Sequence, residues 1–259
     1  MEHIHSLCFV EENESKGYPE LYDKINLYAS KNYAVIYAVE ADSNQTVRRM
    51  SQHGVEVETL VESGALTIVN RNAMYSMDET DTEGHALLDA WHLLMLKVKR
   101  RSNFGGILAI GTAESFFEQS VEHVRLVKYE EIIGKKFHIP LEAVCCYSAN
   151  AIANLSLGEL VAILNAHHST IHNNCHYREW EPHMFIELAH KGIDHALGSD
   201  LSRLIFKTMK LCYKVDDTQI VSDPSLLERM LLKVMGKNAA DVTLAHIKEE
   251  VKKSIAFVF

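Results

Sequence analysis

Short, nearly unbroken apolar runs alternate along most of the chain with longer stretches in which apolar positions recur every three or four residues. The short runs are HIHSLCFV (3–10), YAVIYAV (33–39), ALTIVN (65–70), GILAIG (106–111) and LEAVCCY (141–147). Their length and β-branched and aromatic content predict strands, and several are apolar enough to be covered on both faces. Between them, HALLDAWHLLMLKVKR (85–100) puts Leu88, Trp91, Leu94 or Met95 and Val98 on one stripe and ends in a basic turn, which predicts an amphipathic helix. A second helix is predicted from Ser115 to Lys136. A third is predicted over 156–165, where Ser156 and Glu159 have the spacing of a capping box. Strands and helices alternating at this rhythm imply parallel strands joined by right-handed crossovers, hence a three-layer α/β domain with a mostly parallel sheet.

From about Ile193 onward the pattern changes. No further strand is predicted, and helical runs cover 200–215, 224–236 and 239–257, with Pro224 at a helix start and Gly236 at a C-cap. The expected organisation is an α/β domain over 1–190 and a small all-helical domain over 195–259.

Charge follows the same division. Residues 1–194 hold 16 Lys+Arg against 27 Asp+Glu, and residues 195–259 hold 10 against 8. A formal charge of −9 argues against a nucleic-acid binder as a whole, while the tail is open to a protein partner or to nucleic acid. No apolar run reaches the roughly eighteen residues of a spanning helix, and MEHIHSLCFVEENES lacks a basic leader, so neither a membrane span nor a signal peptide is expected. Five cysteines (Cys8, Cys145, Cys146, Cys175, Cys212) without a C-x-x-C pair fit reduced thiols in the cytoplasm. Strand edges that invite pairing make a homo-oligomer an expectation too.

Ligands of open α/β sheets bind off the carboxyl ends of the strands. The first such position reads EENESKGYPE, where carboxylates crowd the place that phosphate would need and one glycine cannot form the cradle. G-x-G-x-x-G and G-x-S-x-G are absent as well, so no ATP hydrolysis and no enzyme activity are expected. Glu114, after the fourth strand, reads either as a general base or as an acid capping the next helix. Cys145 and Cys146 must face opposite sides of the sheet, as small buried hydrophobes or with one of them at a pocket.

The stretch HHSTIHNNCHYREWEPH (167–183) gathers five histidines, and His168, His172, Cys175 and His176 are spaced H-x3-H-x2-C-H. On a helix these would be i, i+4 neighbours able to share a transition metal such as zinc or copper. Ser169-Thr170-Ile171 favours a strand instead, and Asn173-Asn174 a turn, which would make the histidines an edge strand and a surface loop.

Taken in order, HIHSLCF, LVESGALTIVN, YEEII (129–133), LEAVCCYSAN (141–150) and LVAILNAHHSTI (160–171) resemble the MEDS (methanogen/methylotroph sensory) domain. The counterparts of its motifs are Ile4 with His3 and His5, Gly64–Val69, Tyr129-Glu130, Cys145 with Tyr147, and His167 or His168. The resemblance implies a RecA/KaiC-like fold without a P-loop, serving as a sensor of small molecules such as hydrocarbon derivatives ahead of an output domain. Cys8 stands later than the cysteine of the usual HIC start, so that residue's role does not carry over. The last 65 residues are similar to the helical Nitrosopumilus output-domain group of ammonia-oxidising archaea, on the helix pattern around LLERMLLKVMG. Together these imply a one-component archaeal regulator of transcription or another output. Its small-molecule ligand would lie near Tyr129, Glu130, Cys145, Tyr147 and Glu114 and shift the packing of the tail. The alternatives are a transition-metal protein using the 168–183 cluster and a degenerate RecA-like enzyme.

Overall fold

The apolar runs become strands almost to the residue: β1 (Ile4–Val10), β2 (Tyr33–Val39), β3 (Leu66–Asn70), β4 (Gly106–Thr112) and β5 (Leu141–Ser148). The computed structural model describes residues 4–10, 18–39, 43–71, 85–101, 103–112, 123–136, 141–148, 154–172 and 176–256. Two short strands follow, β6 (Ser169–His172) and β7 (His176–Glu179), and the sheet order is β3-β2-β4-β5-β1-β6-β7. The pairs β2–β3, β2–β4, β4–β5, β1–β5 and β1–β6 are all parallel. This is the expected α/β architecture, and it places β1 between β5 and β6.

Every residue of β2 and β5 is buried, as expected of strands covered on both faces. Alternation then sorts the side chains. Cys8, Val10, Val35, Tyr37, Val144 and Cys146 pack with Leu21, Tyr22 and Ile25 of helix α1 (Tyr18–Ser30) and with Met50 of helix α2 (Ser43–Gln52). Helix α3 (Val57–Glu62) adds Val57 to the same core. The opposite face is covered by helix α4 (His85–Arg101), which buries Trp91, Met95 and Val98, and by helix α5 (His123–Lys136). Residues 115–122 of the helix predicted from Ser115, and Glu114 with them, lie outside the described residues.

The chain groups into two compact units, Met1–Ile152 with Ala166–Arg178, and Ala153–Asn165 with Glu179–Phe259. The second holds most of α6 (Leu157–Ala166), then α7 (Met184–Leu197), α8 (Ser199–Thr208), a π-helical turn (Met209–Tyr213), α9 (Asp217–Ser222), α10 (Pro224–Met235) and α11 (Lys237–Ala256). The expected division at 190–195 thus differs from the observed grouping, in which α6 and α7 lie with the tail. The reason is local to that unit: the backbone N–H of Leu157 donates to Glu228 at 2.6 Å, and Lys248 donates to the carbonyl of Leu155. The capping box of α6 is present in both directions, Ser156 N–H to Glu159 at 2.7 Å and Glu159 N–H to the Ser156 hydroxyl at 3.2 Å. Pro224 opens α10, and Gly236 (φ 77°) closes it in a conformation that favours glycine.

Candidate functional site

Helix α5 carries an acid where its pattern calls for a hydrophobe. Leu126, Tyr129 and Ile133 form its buried stripe, and Glu130 lies on that stripe with no exposed surface. β1 and β5 meet this helix with three polar side chains from one face of the sheet. Leu7 pairs with Cys145, so alternation puts His5, Leu7, Ala143, Cys145 and Tyr147 on the same side. His167, just before β6, completes the group, and all five polar side chains (His5, Glu130, Cys145, Tyr147, His167) are buried.

One carboxylate oxygen is the hub. Glu130 Oε2 lies 3.1 Å from His5 Nε2, 3.3 Å from Cys145 Sγ and 3.4 Å from His167 Nε2. His5 Nε2 is 3.2 Å from Cys145 Sγ. The other carboxylate oxygen, Oε1, accepts a short hydrogen bond from the Tyr147 hydroxyl. His5 Nδ1 lies 3.0 Å from the carbonyl of Ala166, which can only accept, so that nitrogen carries the proton. The His5 and His167 rings lie against each other with centroids 3.9 Å apart. Next to the cluster is a cavity of about 20 Å³, bordered by Trp91, Met95, Tyr129, Ile133, Ala143 and Cys145. A space of that size admits about one water.

Burial sets the electrostatics. It raises the pKa of Glu130 above the ordinary carboxylate range, against the pull of His167 and of the hydrogen bonds from Tyr147 and Cys145. Burial, and then the neighbouring Glu130, push the Cys145 thiol and the Tyr147 phenol well up. Among the described residues, His5, Glu130, Cys145 and His167 form a group able to hold a metal ion, with their ligand atoms all within 4.8 Å of one another.

The sequence singled out Glu130, Cys145 and Tyr147, and the structure brings these three together. Tyr129, named with them, is buried and borders the cavity. Cys146, on the other face, is an ordinary member of the main core. The cluster lies over one face of the sheet, beneath α5, whereas the sequence pointed to the carboxyl ends of the strands. Sequence reasoning did not include His5 and His167 in the site, although each carried a signal: an imidazole inside a largely apolar strand, and one just before β6.

The histidine stretch is corrected as a helical ligand set. Residues 169–172 form β6, so His168 and His172 are four strand positions apart, about 13 Å at the rise of a strand, too far to share one metal. His168 is exposed, and its Nδ1 accepts from the backbone N–H of His5 at 3.1 Å. His176 begins β7, and Cys175 lies outside the described residues.

The chain was compared with known proteins. The family described as "MEDS: MEthanogen/methylotroph, DcmR Sensory domain" matches residues 5–167, a span whose first and last residues are the two histidines of the cluster. Among curated proteins none matches. A crystal structure of an uncharacterized protein from Pyrococcus horikoshii in complex with an unknown peptide is similar at 16% identity and a TM-score of 0.48, covering 66% of this chain and 77% of that one.

Proposed function

Because the chain belongs to the MEDS family of sensory domains, we propose that it is a non-enzymatic cytoplasmic regulator whose α/β unit detects a small molecule at the buried cluster beneath α5. The observation that carries this reading is the cluster itself. Five ionisable side chains from four separate segments are withdrawn from water in one place, an arrangement that costs stability and is typical of working sites. The cavity beside Cys145 has room for about one water, so a larger molecule needs its lining, Tyr129 and Met95 included, to shift. Such a molecule changes the state of the protein to the extent that it binds one arrangement of α5 more tightly than the other.

In this reading the helical unit passes the signal to a partner. Leu201, Leu204 and Leu211, exposed at three- and seven-residue spacing, support a protein partner rather than nucleic acid. The RecA/KaiC-like ancestry belongs to the same proposal. It is supported by the parallel sheet. Among the described residues no helix is long and apolar enough to cross a membrane.

Thermal unfolding of the untagged chain with a panel of short-chain alcohols and halocarbons tests the proposal. At least one compound is expected to raise the midpoint of the wild type while leaving Glu130→Gln unmoved. A panel that shifts neither protein, or shifts both equally, contradicts detection at this cluster.

A further inference from the structure

We propose that His5 Nε2, Glu130 Oε2, Cys145 Sγ and His167 Nε2 are the four ligands of a tetrahedral divalent metal ion of the zinc class, a centre that stands on geometry alone, whichever small molecule the domain detects. Zinc bonds of roughly 2.0–2.3 Å to nitrogen, oxygen and sulfur place neighbouring ligand atoms of a tetrahedron about 3.3–3.7 Å apart. Four of the six such separations here are 3.1, 3.2, 3.3 and 3.4 Å, and the other two fall within 4.8 Å. An ion fits among these atoms with shifts of a few tenths of an ångström along four edges and a modest closing of His167 toward the others.

The surroundings are those of a metal centre. His5 donates its Nδ1–H to the Ala166 carbonyl, which fixes the tautomer and aims the Nε2 lone pair inward. Tyr147 donates to Glu130 Oε1, holding the carboxylate so that Oε2 alone faces the centre. Charge closes as well. A thiolate and a carboxylate balance a divalent cation, and two neutral imidazoles complete it, so the loaded centre is neutral in a place where net charge is costly. Imidazole, thiolate and carboxylate together suit zinc and cobalt rather than magnesium or calcium.

With all four positions taken by protein atoms, the site has the closed form of a structural or regulatory centre. It ties the start of β1, the middle of β5, helix α5 and the segment entering β6 into one knot. On binding, the Cys145 thiol proton and any proton on Glu130 pass to solvent as the Sγ–metal and Oε2–metal bonds form, with no change of oxidation state.

The test uses the full untagged chain, stripped with a chelator and titrated with Zn2+ alone and, in parallel, with Co2+. The expected result is one metal per chain, with a cobalt spectrum showing intense tetrahedral visible bands and a thiolate charge-transfer band. Cys145→Ser is expected to abolish that band, and Cys145→Ser and His167→Ala to weaken zinc by more than about a hundredfold. His172→Ala is expected to keep stoichiometry and spectrum. Two results overturn the proposal: a folded wild type that takes up no stoichiometric zinc, or a cobalt complex lacking the thiolate band. The wild-type spectrum decides the matter even if a variant does not fold.

Discussion

At the scale of the residue, the account turns on what burial does to acids. Glu130 has its pKa raised by burial, so the metal-free native state holds its proton more tightly than the unfolded chain does. The associated stability is present below the unfolded carboxyl value of about 4.3 and is lost as pH rises through the folded value. Urea unfolding of the chelator-stripped protein should therefore show the wild type losing stability relative to Glu130→Gln from about pH 4.3 upward; parallel pH profiles would count against it. Tyr147→Phe removes the donor to Glu130 Oε1 and is expected to weaken zinc about ten- to a hundredfold without changing stoichiometry, read by competition with a chromophoric chelator. A second buried acid, Glu142, pairs with Lys24 on the opposite face, both nearly inaccessible. Lys24→Met removes the cation paired with that carboxylate and is expected to cost about 3 kcal/mol, which adding Glu142→Leu should largely restore. Equal stabilities of the single and double variants in denaturant would refute the pairing.

At the scale of the element, local pattern predicted the strands well and the site unevenly. β1 to β5 appeared within a residue or so of the apolar runs, most plainly β2 and β5, because a strand buried on both faces leaves an uninterrupted signature. The helix at Met184–Leu197 was not predicted, although Phe185, Leu188, Ala189, Gly192 and Ile193 are its buried positions. Gly192 explains how closely that helix packs on α11. A Cβ there would lie 2.5 Å from Ile247 Cα and 2.7 Å from its backbone nitrogen. Since backbone cannot step aside as a side-chain tip does, Gly192→Ala is expected to destabilise the protein by about 2 kcal/mol or more, seen as a lower unfolding midpoint. The same reasoning shows why the 168–183 stretch misled: imidazoles spaced for a helix lose their common ligand site once Ser169-Thr170-Ile171 forms β6. Glu130 was legible as an acid next to Tyr129, but that it points inward follows only from its place on the Leu126–Ile133 stripe.

At the scale of the whole molecule, what the sequence could not supply is convergence. His5 and His167 belong to opposite ends of the α/β unit and meet only because β1 is inserted between β5 and β6. Strand order is a non-local property, invisible to periodicity, whereas the motifs of the resemblance, read in order, held His5, Glu130, Cys145 and Tyr147 and left His167 or His168 open. The central claim is that this cluster, and not the histidine-rich stretch after it, is where the protein holds what it responds to. Native mass spectrometry of the untagged full chain tests it most directly. The account predicts a non-covalent mass at one per chain, kept in His172→Ala and lost in Glu130→Gln and Cys145→Ser. A mass kept in both cluster variants but lost in His172→Ala would contradict it.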